Sequence, residues 1–324
     1  MREKKIILHV GAPKTGTTSL QTVLCAQSES LTQAGIHYLK SMRASVSHNR
    51  LIMKISKDDE EARKAKRKVL HEIDANAGPT FLLSSEIAFG AKQTSQLLDV
   101  FTETYQNIDI ILYMRRQDLF LEAMAKQKLK SGHYKGTLED FISKRANRGN
   151  YMSYINAVRK KYPHVTIECR PYDRRELING DIIADFWSYL GLTYTPIAQS
   201  APTSVNVTPC RELAEALGAH EFASPHHRRS VIGEIHAKLP HLFRSKDIMN
   251  AQQRQIFMEK FRLENRALSE FCGYDIEKLF NDSVDFEKES NHTSDATDRR
   301  ELEKQSKDAV AAAALHRLPQ NANR

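Results

Sequence analysis

The stretch HVGAPKTGTTSL, residues 9 to 20, decides how the rest of the chain is read. An apolar run ends at Val10, a turn of small residues follows, and a hydroxyl-rich segment opens an apolar helical pattern. A common phosphate-binding loop reads G-x-x-x-x-G-K-[ST], its lysine directly after the second glycine. Here the order is Gly11-Ala12-Pro13-Lys14-Thr15-Gly16-Thr17-Thr18, so the lysine stands inside the turn. The physical design survives the shift. Gly16 lets the backbone approach an anion, and the N–H groups of Gly16 to Thr18 point at it from a helix N-terminus. Lys14 adds a compact positive charge, and the hydroxyls of Thr17 and Thr18 add donors.

Working outward, four apolar runs recur, each followed by helical patterning: residues 5–10, 80–85, 109–114 and 165–170. They are continuous in apolar character, as parallel strands covered on both faces are. Helices are predicted at about 17–33, 58–75, 92–105 and 117–130. Ile183, Phe186, Trp187 and Leu190 make a further amphipathic turn closed by Gly191, and Phe257, Phe261, Leu268 and Phe271 another over 252–272. The expected fold class is α/β, a doubly wound parallel sheet flanked by helices. One domain is expected over 1–280, with a polar, mobile tail over 281–324 that holds one possible helix in its alanine run.

Lys and Arg number 48 against 40 Asp and Glu. Seven basic and nine acidic residues follow position 280, which leaves +10 on residues 1–280. That surface attracts anions, either nucleic acid or a phosphorylated small molecule. The basic run of residues 60–73 reads as a solvated helix face, because Ala62, Ala65, Val69 and Ile73 form the apolar stripe. The HHRRS cluster at 226–230 reads as an exposed loop. Cys25, Cys169, Cys210 and Cys272 are too scattered for a zinc site or a disulfide framework. No apolar stretch reaches the ~20 residues of a membrane span, and no signal-peptide core is visible. A cytoplasmic protein is expected.

PKTGTTSL resembles the 5′-phosphosulfate-binding motif of sulfotransferases that use 3′-phosphoadenosine 5′-phosphosulfate (PAPS). The resemblance implies that Pro13, Lys14, Thr15, Gly16, Thr17, Thr18 and Ser19 cradle that group in a P-loop-like fold. YMRRQDLFLEAMAKQKLKSG, residues 113–132, is similar to the 3′-phosphate-binding segment of the family, with Arg115 as the pairing arginine. A serine usually stands eight residues later; this chain has Ala123. Arg116, Lys126 and Lys130 are the cations available to replace its contact. RPYDRREL resembles the stretch that brings a tyrosine near the adenine, which implies that role for Tyr172. The resemblance covers most of residues 5–275.

Sulfuryl transfer needs a base for the acceptor proton and a positive charge at the leaving oxygen. Lys14 is expected to supply the charge. Glu86, after the second long apolar run, is the expected base, and His48 its rival or a positioning group. His9 reads as a core histidine. The implied acceptor is a hydroxyl on a carbohydrate or lipid-linked molecule; the implied product is adenosine 3′,5′-bisphosphate, with no metal and no nucleic acid as partners. A nucleotide-dependent kinase with an atypical loop and a non-catalytic nucleic-acid-binding protein are the competing readings. The first predicts Mg²⁺-dependent ATP consumption; the second predicts salt-sensitive binding.

Overall fold

The computed structural model describes residues 4–12, 14–57, 59–196, 208–243, 249–281 and 296–316. Its strands are β1 (Lys5–His9), β2 (Ile36–Tyr38), β3 (Thr80–Ser84), β4 (Asn107–Met114) and β5 (Thr166–Pro171). The α-helices up to β5 are α1 (Thr17–Ala26), α2 (Ser28–Gln33), α3 (Asn49–Ile55), α4 (Glu60–Ala75), α5 (Ala91–Phe101), α6 (Gln117–Lys130), α7 (Leu138–Arg145) and α8 (Tyr151–Lys161). After it come α9 (Ile182–Tyr189), α10 (Arg211–Ala219), α11 (Pro225–Lys238), α12 (Ala251–Glu259), α13 (Arg262–Cys272), α14 (Ile276–Asn281) and α15 (Ala296–His316).

The chain divides into two units. The first takes residues 1–116, 150–196 and 262–280 and holds the whole sheet. All five strands are parallel, in the order β2-β3-β1-β4-β5. In β1 the residues Ile6, Ile7 and Leu8 are all buried, at 0, 4 and 1% exposure, so both faces of the sheet are covered. Each such side chain contributes about 1.5–3 kcal/mol of burial free energy. The α/β reading of the sequence holds. The chain leaves β1 toward β2 and leaves its neighbour β3 toward β4, in opposite directions across the sheet, which opens a crevice between the carboxyl ends of β1 and β3.

Some local expectations needed revision. β2 was not expected; it is three residues long, too short to carry a periodicity. The helix predicted over 17–33 is two helices that break at Gln27, whose backbone leaves helical geometry at φ −99°, ψ 18°. The segment 252–272 is likewise α12 and α13, and the boundary between the units falls in its gap. In α4 the stripe Ala62, Ala65, Val69 and Ile73 is buried and the basic residues line the other side, as expected.

The second unit takes 117–149, 197–261 and 281–324, and its described elements are helical. Its apolar core joins Leu213, Leu217, Val231, Ile235 and Leu242 to Val310, Ala313 and Ala314 of α15. The expectation of a mobile tail is therefore corrected for 296–316, where one small-residue face of an otherwise polar helix packs on α10 and α11. The HHRRS cluster is not a loop but the first turns of α11. His227 is buried against the Ala314 carbonyl, 3.2 Å from Nε2, and Arg228 donates to the Leu217 carbonyl at 2.7 Å. Arg254, fully buried, donates to Asp118 at 2.6 Å and to both oxygens of Glu122.

Candidate active site

The site is built at the carboxyl end of β1. Lys14 and Gly16 both adopt left-handed backbone, at φ 73° and 69°. For Lys14 that conformation costs about 1–3 kcal/mol, which the surrounding bonds must offset. Two of them are visible. Thr15 is fully buried and donates its hydroxyl to the Ala12 carbonyl at 2.7 Å, closing the turn, and Arg115 Nη1 donates to the Lys14 carbonyl at 3.0 Å. Gly16 caps α1, and the first bond of the helix runs from Leu20 N to the Gly16 carbonyl. The N–H groups of Thr17, Thr18 and Ser19 thus have no acceptor within the helix. Burial and, to a lesser degree, Arg115 hold the Lys14 ammonium below the ordinary lysine pKa, while Glu86 opposes them.

Glu86 follows β3, the neighbour of β1, and opens a short 3-10 turn that runs to Ala88. The rung before it, Ser85 N to the His9 carbonyl at 3.0 Å, fixes its position relative to the loop. Thr17 Oγ1 donates to Glu86 Oε2 at 2.8 Å, and Asn49 Nδ2 stands 3.5 Å from Oε1. Ser85 donates its hydroxyl to Asn49 Oδ1 at 2.8 Å. The carboxylate is therefore tied to the first residue of α1 and to the first of α3.

The histidines are structural in their bonding. His48 is 1% exposed; the Ser84 N–H donates to its Nδ1 at 3.2 Å, and Nε2 donates to the Leu39 carbonyl at 2.9 Å. Both ring nitrogens are engaged by backbone, and burial lowers its pKa to about 4. The expectation of His48 as a rival base is corrected accordingly: a group without a lone pair to offer cannot accept a proton from a substrate. His9 lies in the core as expected, with Nδ1 2.7 Å from Ser84 Oγ and its pKa lowered to about 3 by burial, but it is not fully satisfied, since its buried Nε2 has no hydrogen-bond partner among the described residues.

Tyr172 follows β5 and packs on the loop, since a Cβ added to Gly16 would lie 3.3 Å from its hydroxyl and 3.1 Å from Ile182 Cγ2. A cavity of about 350 Å³ opens there, lined in part by Gly16, Ser19, Tyr172, Arg174, Asp181 and Ile182. Thr18 and Ser19 are exposed beside Gly16, as a cradle requires. Thr15 is not available in that way, because its hydroxyl is held inward. Ala123 lies on α6 in the second unit, and Pro13 lies outside the described residues. Lys126 is buried within the second unit.

No family model matches the chain. An uncharacterized protein of Archaeoglobus fulgidus is 29% identical over 168 residues, and the match spans 44% of that relative's own length and 49% of this chain. Among solved structures, a sulfotransferase from Alicyclobacillus acidocaldarius is similar at 12% identity with a TM-score of 0.47, over 84% of this chain and 97% of that one. A sulfotransferase domain from the curacin biosynthetic pathway follows at 11% and 0.37, over 70 and 86% of the two chains. The PezAT toxin-antitoxin system of Streptococcus pneumoniae follows at 17% and 0.27, over 52 and 70%. At this distance a likeness carries no residue's role across.

In the sequence Ser84 and Ser85 read as groups that orient the acceptor or the sulfonate; in the structure the Ser85 hydroxyl goes to Asn49 and that of Ser84 lies against His9. The sequence did not point to two groups of the site, Asn49 and Tyr151: Asn49 follows His48 in SVSHNRL, but an amide in a polar segment carries no pattern. Tyr151, at the start of α8, is fully buried, accepts the Arg115 N–H at 3.3 Å and donates to its carbonyl at 2.7 Å. Glu264 of α13 in turn accepts the Met152 N–H, and burial raises its pKa to about 7. Among the described residues no group of three or more His, Cys, Asp or Glu side chains could hold a metal ion, and no helix is long and apolar enough to cross a membrane.

Proposed function

We propose that this chain is a sulfotransferase that binds PAPS at the turn after β1 and serves an acceptor hydroxyl on a carbohydrate or lipid-linked molecule in the cytoplasm. One observation carries the reading: the turn that opens α1 holds both Lys14, whose carbonyl Arg115 grips, and Thr17, whose hydroxyl goes to Glu86. A half-buried cation and a carboxylate around unbonded N–H groups make a site for an anion that must also lose or receive a proton.

The residues present fit the donor. The N–H groups of Gly16, Thr17 and Thr18, the Lys14 ammonium and the Thr18 hydroxyl would hold its 5′-phosphosulfate. Arg115, whose five donors form a planar fork, would pair with the 3′-phosphate while its Nη1 braces the loop. Tyr172 and the cavity beside Gly16 and Ser19 would take the base. The donor supplies an activated sulfuryl group. Glu86 takes the acceptor proton, and Lys14 neutralises charge on the oxygen that is released.

The test is a calorimetric titration of the purified protein with adenosine 3′,5′-bisphosphate, against ATP with Mg²⁺. Metal-independent binding of the bisphosphate is expected. Binding of ATP alone, and only with Mg²⁺, would overturn the reading in favour of phosphoryl transfer.

A further inference from the structure

Thr17 looks, by its place in the loop, like a side-chain ligand for a phosphate oxygen. Its environment in the structure says otherwise. The residue is 4% exposed, and its hydroxyl hydrogen goes to Glu86 Oε2 at 2.8 Å. A hydroxyl has a single hydrogen to donate, so one given to the carboxylate does not serve an anion in the turn.

The orientation is enforced by packing. Gly11 stands opposite Thr17, and a Cβ built on it would lie 2.2 Å from Thr17 Cγ2. The threonine methyl therefore occupies the space that any other residue at position 11 would fill. Threonine has one stiff side-chain torsion, so seating the methyl on Gly11 also fixes the direction of the hydroxyl. The other carboxylate oxygen faces Asn49, which Ser85 holds in turn.

We propose that Thr17 is a positioning residue: its backbone N–H belongs to the anion cradle, but its hydroxyl orients the Glu86 carboxylate, with Gly11 as the seat that aims it. The use of Glu86 as a base rests on the function proposed above; the wiring of Thr17 to Glu86 does not. The threonine links the two halves of the site, setting the carboxylate by the same residue that begins the cradle.

Two measurements test this on the full chain with Thr17→Val, which keeps the shape, and Thr17→Ser, which keeps the donor. The first reads the chemical shift of the Glu86 carboxyl carbon by NMR at one neutral pH, its signal identified by its loss in Glu86→Gln. The second titrates adenosine 3′,5′-bisphosphate by calorimetry. The Glu86 carboxyl signal is expected to move in Thr17→Val and to return toward wild type in Thr17→Ser, while bisphosphate affinity changes by less than about threefold, well short of a lost hydrogen bond to a charged group. An unmoved Glu86 carboxyl signal in Thr17→Val overturns the proposal, and so does a fall in bisphosphate affinity of about tenfold or more, which would put the hydroxyl on the phosphate. If wild type binds no bisphosphate, the proposed function fails, and the NMR arm still decides the role of Thr17.

Discussion

Arg115 donates from Nη1 to the Lys14 carbonyl at 3.0 Å, and so ties the residue after β4 to the strained centre of the turn after β1. A guanidinium that braces the loop and, in the function proposed above, also pairs with a phosphate is doubly exposed to substitution. Arg115→Ala is expected to lower the affinity for adenosine 3′,5′-bisphosphate by about tenfold or more, and Arg115→Lys to restore little of it, because an ammonium lacks the planar fork. Calorimetry on the two variants checks this; wild-type affinity in a folded Arg115→Ala protein would remove Arg115 from the site.

Lys14 gives a pH dependence with a definite sign. Its pKa lies below the ordinary value of 10.5, chiefly through burial, so the free protein loses this charge earlier than an ordinary lysine would as the pH rises. Bisphosphate affinity is expected to decline through that lowered pKa, and Lys14→Arg to move the decline out of range because arginine keeps its proton. Titrations at several alkaline pH values read the shift directly.

The two buried histidines predict acid sensitivity of the fold. The folded-state pKa of His48 is lowered from 6.5 to about 4, and that of His9 to about 3. Below pH 6.5 the unfolded chain takes up protons that the folded chain refuses, so stability falls as the pH drops from 6.5 through the folded values. For His48 the full effect is about 3 kcal/mol. Urea unfolding at a series of pH values is expected to show the slope, and His48→Gln to flatten part of it, at the cost of a lower stability at neutral pH.

Gly11→Ala sets a Cβ against the Thr17 methyl and is expected to cost about 1–3 kcal/mol. Adding Thr17→Ser removes the methyl, and the double variant is expected to recover most of that loss. Denaturant midpoints of the three proteins give the coupling; additive losses would mean that the clash is relieved elsewhere.

In the second unit, Arg254→Ala leaves Asp118 and Glu122 as buried carboxylates without their guanidinium. A loss of about 3–5 kcal/mol is expected, read from thermal unfolding.

Much of this architecture was legible in the residues. β1, β3 and β4 announce themselves because both of their faces are buried, which writes unbroken apolar runs such as Ile6–Leu8 into the sequence, whereas β5 is only partly buried at the sheet edge. The turn after β1 was readable because Gly16 and the displaced lysine have few other uses. What escaped was set by contacts between distant segments. β2 is held by its pairing with β3, not by its own three residues. α15 docks through Val310, Ala313 and Ala314, small residues that look unremarkable within a polar tail. His48 attracted attention by its residue type, but its ring nitrogens are claimed by the carbonyl of Leu39 and the amide of Ser84, partners that no local pattern reveals.

The ladder of β1 with β3 and β4 has a consequence for motion. His9 pairs with Ser84 on one side and Ile111 on the other, and the loop, Glu86 and Arg115 all hang within a few residues of those rungs. Central parallel strands are the segments whose amides exchange last with solvent, opening only with the whole domain. The charges of the site are thus carried by the slowest-breathing part of the chain and do not wait for a ligand to assemble them. Loss of anion binding on heating is expected to coincide with global melting, with no softer, inactive state before it.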